Sequence, residues 1–203
     1  MTSRPRRVAL TGGIATGKSY CLQRFARCGA LVVDADAIAR DALSADAPAL
    51  ASVKSRFGSS YFNDSGDLNR SALADLVFAD PAARRDLEAI VHPVVFRRIE
   101  DWFARLPQPI GIADIPLLYE TNRAVAFDEV IVAFCPPALQ RARLLARGLA
   151  AEQAEQRIAA QLSIEVKRAR ANFAIDTSGS TSDTDRQVVE IWEQLRREVE
   201  RAG

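Results

Sequence analysis

The run Gly12-Gly13-Ile14-Ala15-Thr16-Gly17-Lys18-Ser19 constrains this chain more than any other stretch. It fits G-x-x-x-x-G-K-[ST], is entered from the apolar Arg7-Val8-Ala9-Leu10-Thr11, and is followed by a helix-forming run. Glycines let the backbone turn tightly enough for successive N–H groups to face a phosphate chain. Lys18 then reaches the β- and γ-phosphates, and the Ser19 hydroxyl is the expected Mg²⁺ ligand. A helix opening at Gly17 adds its own unpaired N–H groups and the positive end of its dipole. The spacing therefore implies a nucleoside-triphosphate site.

Composition limits what surrounds that loop. The chain has 203 residues, 48% hydrophobic and 26% charged, ordinary values for one globular domain. A formal net charge of +1 offers no basic field for nucleic acid. The basic lead-in from Met1 to Arg7 precedes an apolar run far too short for a signal peptide or a membrane span. Cys21, Cys28 and Cys135 form no C-x-x-C pair, and two helical turns (roughly 10 Å) separate the first two, which predicts buried thiols in a cytoplasmic setting.

Further along, Leu31-Val32-Val33 reads as a second strand running into Asp34-Ala35-Asp36. Ligands of an open parallel sheet sit beyond the carboxyl ends of its strands, the edge from which the phosphate loop also emerges. Asp34 suits either that site or a helix N-cap. Asp36 is the candidate catalytic base, a carboxylate that could take a proton from an acceptor hydroxyl during phosphoryl transfer. Helical pieces follow over 37–43, 47–57 and 70–78, with a loop at 63–67 and no convincing strand, the pattern of an insertion that builds an acceptor pocket. Pro81 starts another helix, and His92-Pro93 is expected to interrupt it before it resumes over 94–106. His92 is the only histidine, so zinc chemistry built on histidine ligands is excluded, and the residue reads as a structural hydrogen-bonder or a catalytic one.

Strands are expected at 110–114, 127–134 and 172–175. Asp114, ending the first of these, suits a Mg²⁺ water shell. Leu117, in Pro116-Leu-Leu-Tyr-Glu120, reads as lining the acceptor site, and Glu120 as a site residue or a solvated charge. An arginine-marked helical region follows from 136. Arg143 and Arg147 lie four apart on one face, and Arg143 is the candidate cation over the transferring phosphoryl group, against the alternative of a solvated helix face. The loop from Asp176 to Ser182 is positioned to meet a base, and a final amphipathic helix over 184–201 carries Val188, Val189, Ile191, Trp192, Leu195 and Val199 inward.

In this order, the phosphate loop, Val33-Asp-Ala-Asp36 with Ile38-Ala39-Arg40, Gly66-Asp-Leu-Asn-Arg70, Leu87-Glu88 with Ile90-Val91-His92-Pro93, Ile115-Pro-Leu-Leu118 with Glu120, and Gln156-Arg157 with Gln161 make the chain similar to the dephospho-coenzyme A kinases over nearly its full length. The resemblance implies ATP-dependent phosphorylation of the ribose 3′-hydroxyl of dephospho-coenzyme A, the last step of coenzyme A biosynthesis. It implies a three-layer α/β P-loop fold like that of the nucleoside monophosphate kinases: a single domain over 1–203 on a five-stranded parallel sheet. Within it lie a helical acceptor insertion at about 36–107 and a lid at about 136–171. Cofactors would be ATP and Mg²⁺, with no nucleic-acid or membrane partner. Catalytic residues would be Asp36, Lys18 and Arg143. ATP would be held by Gly13, Ile14, Ala15, Thr16, Gly17, Lys18, Ser19 and Tyr20, the acceptor by Thr11, Asp36, His92 and Leu117, and the metal by Ser19.

The chain departs from that pattern at Ala15, where a third glycine is usual and which an αR backbone would accommodate, and at Tyr20, where threonine is usual. Asn172 and Thr177 stand in the segment expected to read the adenine. Another P-loop kinase of a small molecule or nucleotide would share the loop and differ between 36 and 120. A non-catalytic nucleotide-binding regulator would need neither Asp36 nor paired lid arginines. A GTPase would need an Asn-Lys-x-Asp segment, which the sequence lacks.

Overall fold

The computed structural model describes residues 4–202, so the first three residues of the basic lead-in lie outside it. The chain divides into two compact units, Met1–Val33 with Phe103–Gly203, and Asp34–Trp102.

Five strands form one parallel sheet in the order β2-β3-β1-β4-β5. They are β1 (Arg6–Gly12), β2 (Leu31–Asp34), β3 (Ile110–Asp114), β4 (Glu129–Phe134) and β5 (Phe173–Asp176). Because β1 pairs β3 on one side and β4 on the other, with Leu10 opposite Asp114 and Ile131, it is the sheet's central strand. After β1 the chain fills one side of the sheet, and after β3 it crosses to the other. The switch point thus falls at the carboxyl end of β1, where a doubly wound sheet binds its ligand. Strands covered on both faces must be apolar almost throughout. Accordingly, β3 is buried along its whole length and β4 everywhere but its last residue.

Helix α1 (Lys18–Arg27) and the last helix, α9 (Thr181–Ala202), pack together on the sheet. Cys21 and Phe25 of α1 and Val188, Ile191, Trp192 and Leu195 of α9 meet Leu10, Ile112, Ile131 and Ile175 in the main core. Two apolar residues do not face inward: Ala26 is exposed, and Val189, expected on the buried stripe, is 37% exposed. Each follows a core residue directly (Phe25, Val188), and the 100° step of a helix carries the next side chain off the buried stripe. Burial pushes the Cys21 thiol up to about 12, and all three cysteines are free. Between β4 and β5 lie α6 (Pro137–Ala146), α7 (Ala151–Ala159) and α8 (Ile164–Ala169).

The second unit is helical: α2 (Ala35–Ala45), α3 (Ala47–Phe57), a 3-10 turn at Ser59–Tyr61, α4 (Arg70–Ala79) and α5 (Pro81–Ala104), whose last two residues belong to the first unit. Side-chain caps set three of these starts. Asp34 accepts from the Asp36 and Ala37 N–H groups, Asp46 from Ala49 N and Asn69 from Ala72 N. Asp34 is therefore an N-cap. Ala42, Ala49 and Val94 form a small core with Ile90 against it. Among the described residues, no helix is long and apolar enough to cross a membrane.

A further expectation fails at Pro93. Pro93 does not interrupt its helix, because α5 runs continuously through it. The missing N–H and the ring clash with the preceding turn cost about 3 kcal/mol. Burial of Val91, Val94, Val95 and Ile99, each 8% exposed or less, offsets that cost on either side of the proline. Pro93→Ala is therefore expected to raise stability by up to about 3 kcal/mol in denaturant unfolding, since the helix regains a hydrogen bond. An unchanged or lower stability would show that the ring itself is part of the packing.

Candidate active site

The phosphate loop leaves β1 at Gly12 and ends at Gly17, whose φ of 82° and ψ of 11° start α1. Only a residue without Cβ takes that conformation at little cost. The first turn of α1 has neither a side-chain cap nor an acidic residue, which leaves its N–H groups and its positive dipole end to a bound anion.

All described peptide bonds are trans. In a trans unit the C=O of one residue and the N–H of the next point in opposite directions, so fixing a carbonyl also aims an amide. Each loop carbonyl from 12 to 16 has a partner. Gly12 O accepts from Lys167 Nζ at 3.2 Å, Gly13 O from Thr16 Oγ1 at 2.8 Å, and Ile14 O from Gln140 Nε2 at 2.7 Å. Ala15 O accepts from Arg143 Nη1 at 3.1 Å, and Thr16 O from Thr177 Oγ1 at 2.6 Å. The amides of Gly13, Ala15 and Gly17 are thereby turned away from these partners, while Thr16 N–H donates to Gly13 O at 3.3 Å. Ile14 N–H belongs elsewhere: it donates to Gln161 Oε1 at 2.7 Å, so this expected ATP residue contributes its clamped peptide rather than its amide.

Gly12 is required by close approach to backbone, and a side chain at Gly13 would displace the Gln140 amide. A Cβ on Gly12 would lie 2.6 Å from Ala133 O, and one on Gly13 would lie 2.5 Å from Gln140 Nε2. Ala15 departs from expectation. Its φ is 60°, in the left-handed rather than the αR region, which costs an L-residue roughly 1–2 kcal/mol. The Arg143 bond to its carbonyl and the packing of its methyl with Leu144 and Ala154 hold it there.

Lys18 pairs with Asp114, a buried carboxylate at the end of β3, so the loop ammonium and the expected metal-shell acid lie together. Ser19, next to Lys18 in the chain, is exposed on the first turn of α1. Tyr20 sends its hydroxyl to Asp185 Oδ1 at 2.7 Å, and donating to that carboxylate holds its pKa above the usual phenol range. A cavity of about 150 Å³ lies alongside, lined by Ala15, Gly17, Tyr20, Arg143, Arg147, Thr177, Gly179, Thr181 and Thr184.

Thr11 is fully buried and donates to Pro116 O at 3.2 Å, so it braces the turn carrying Leu117 rather than presenting its hydroxyl. Leu117 is half-buried, and its carbonyl accepts from Thr121. Asp36 and His92 lie in the helical unit. Asp36 is exposed in the first turn of α2, and His92 is half-buried with its ring edge-on to Phe96 at 6.2 Å. Glu120 is neither solvated nor free: it pairs with Lys167 at 2.8 Å. Asn172 accepts from Val130 N at 2.9 Å, a strand-end role between β4 and β5.

The residues missed from sequence are Thr177 and Lys167 as loop anchors. Lys167 is 0% exposed although it sits in a run of basic residues that reads as a solvated face. Its one sequence signal is its place on the inner side of α8 with Ile164, three residues before it.

A centrally placed phosphate loop with a paired lysine and acid on a parallel sheet defines a P-loop nucleotide-binding fold, and the comparisons place it among the kinases. The family model described as dephospho-CoA kinase matches residues 6–183, and the chain belongs to that family. It is 44% identical over 195 residues to a dephospho-CoA kinase of Thermobifida fusca, covering 95% of this chain and 98% of that one. Among solved structures, a Thermus thermophilus protein superposes with a TM-score of 0.79 at 32% identity, over 95% of this chain and 99% of that one. The dephospho-CoA kinase of Campylobacter jejuni gives 0.71 at 27%, over 93% and 96%. The activity is ATP-dependent phosphorylation of dephospho-coenzyme A, in coenzyme A biosynthesis.

Thr177→Val keeps the side-chain shape and removes the hydroxyl that donates to Thr16 O and accepts from Arg143 Nη1. Loss of about 1–3 kcal/mol in unfolding free energy is expected, because buried partners are left unpaired. An unchanged unfolding midpoint would contradict this account of the loop.

Proposed function

We propose that the chain transfers the γ-phosphoryl group of ATP to the ribose 3′-hydroxyl of dephospho-coenzyme A, with Asp36 as general base. The observation that carries the phosphate half is the uncapped first turn of α1 behind a loop whose carbonyls are all held. The amides of Gly13, Ala15 and Gly17 with those of Lys18 and Ser19 bind the β- and γ-phosphates. Lys18 exchanges part of its pairing with Asp114 for phosphate oxygen and neutralises charge on the β- and γ-phosphates as the γ-phosphoryl group leaves. The cavity between Tyr20, Arg147, Gly179 and Thr184 takes the nucleoside end.

Two oxygen donors fit Mg²⁺: the Ser19 hydroxyl, and the Asp114 carboxylate acting through the metal's water shell. Both are hard ligands, and such an ion keeps several waters and leans on substrate phosphates. When bound, it adds charge neutralisation between the β- and γ-oxygens.

Asp36 is supported as the base by what its neighbour does. Asp34 is consumed as the α2 cap, which leaves Asp36, two residues past the carboxyl end of β2, exposed and available to a hydroxyl. The helical unit Asp34–Trp102, which carries His92, is the acceptor module, and the helices over about 136–171 serve as the lid. Arg143 braces Ala15 through Nη1 and Thr177 O through Nη2, and its cationic charge stabilises the transferring group from beside the loop.

Asp36→Asn is expected to leave ATP affinity largely intact while kcat falls by roughly 10²–10⁴. Loss of ATP binding together with turnover would make Asp36 structural. Lys18→Ala should abolish transfer, and near-normal kcat would sink the loop assignment. For Arg143→Ala, steady-state kinetics should give a kcat lower by roughly 10². A normal kcat with weakened ATP binding would reduce Arg143 to a brace.

A further inference from the structure

The one fully buried lysine among the described residues lies under the phosphate loop, and the loop chemistry above does not use its charge directly. Lys167 Nζ has three partners: Gly12 O at 3.2 Å, Pro116 O at 3.1 Å and Glu120 Oε1 at 2.8 Å. An ammonium has three donors, so three acceptors satisfy it fully. The same Glu120 oxygen accepts from Leu162 N at 3.0 Å, while Glu120 Oε2 is buried without a partner. Next to Leu162, Gln161 grips Ile14 N–H.

We infer that Lys167 and Glu120 are a positioning pair that sets the first peptide of the phosphate loop and ties it to the turn beginning at Pro116. Gly12 O and Gly13 N–H belong to one planar unit, so an ammonium on the carbonyl aims the amide the opposite way, toward the phosphate-binding side. A Cβ at Gly12 would meet Ala133 O and Thr16 Oγ1, so the position takes only glycine, whose backbone holds this peptide through its partners rather than through a side chain. A Gly12 carbonyl released from Lys167 could rotate its oxygen toward the triphosphate, where like partial charges repel. Through Pro116 O, which also accepts from Thr11 Oγ1, the same ammonium fixes the turn that carries Leu117. Glu120 makes burial of the cation tolerable, since an uncompensated buried charge is strongly destabilising.

This inference rests on the loop binding ATP, so the test reads ATP binding directly, by calorimetry without acceptor. Lys167→Met removes the three donors at similar length and leaves Glu120 unpaired, and both stability and ATP affinity should fall. Adding Glu120→Gln removes the orphaned charge and keeps an acceptor for Leu162 N–H. The double variant is expected to recover most of the lost thermal midpoint while ATP affinity stays weakened about tenfold, the scale of one charge-assisted hydrogen bond. A double variant that recovers both stability and ATP affinity would show that the pair serves folding alone, and so would one that is unfolded at every accessible temperature. Failure of the wild-type chain to bind ATP would overturn the function proposed above rather than this pairing.

Discussion

Everything at this site depends on where the carbonyls of residues 12 to 16 point. A loop that binds phosphate must present amides to it, and each amide turned inward turns a carbonyl outward into protein. An outward carbonyl without a partner would cost about as much as a lost hydrogen bond. This chain supplies a partner for each from a different place: Lys167 in α8, Thr16 in the loop itself, Gln140 and Arg143 in α6, and Thr177 after β5. The phosphate loop is thus held from behind by the segments that follow β4, and its shape is a property of the whole first unit.

That arrangement explains why the sheet is built as it is. A central β1, paired on both edges, gives the loop a fixed origin, and β3 delivers Asp114 to Lys18 from the adjacent position. β4 brings Ala133 close enough to Gly12 to exclude any side chain there. α1 and α9 pack together in one core with the strands, so the core that stabilises the fold also immobilises the site. The chemistry needs such rigidity, because positioned charge stabilises a transition state only if it need not reorganise.

The loop, the strands and most helix starts were legible because their signals are local. Spacing gave G-x-x-x-x-G-K-[ST], helical runs broken by turns marked α3 and α4, and unbroken apolar runs marked strands covered on both faces. Local signals also misled where tertiary packing won. Pro93 sits inside a continuous α5 since the residues flanking it are buried, and Ala15 adopts a glycine-like φ since Arg143 and its packing hold it. Lys167, Thr177, Gln140 and Gln161 could not be ranked from sequence, because each acts on a loop more than 120 residues earlier. A lysine in a basic helix reads as solvated until its burial is seen. The reading of Glu120 stayed open for the same reason: its partner is 47 positions away in the chain.

The central claim is that this loop hands phosphate to one particular acceptor. The direct measurement is ADP release with Mg²⁺ and ATP, run against dephospho-coenzyme A and a panel of nucleosides, nucleotides and shikimate, with the product weighed by mass spectrometry. The account predicts ADP and coenzyme A in equal amounts with dephospho-coenzyme A alone. Turnover with another acceptor instead, or ATP bound tightly with no acceptor consumed, would contradict it.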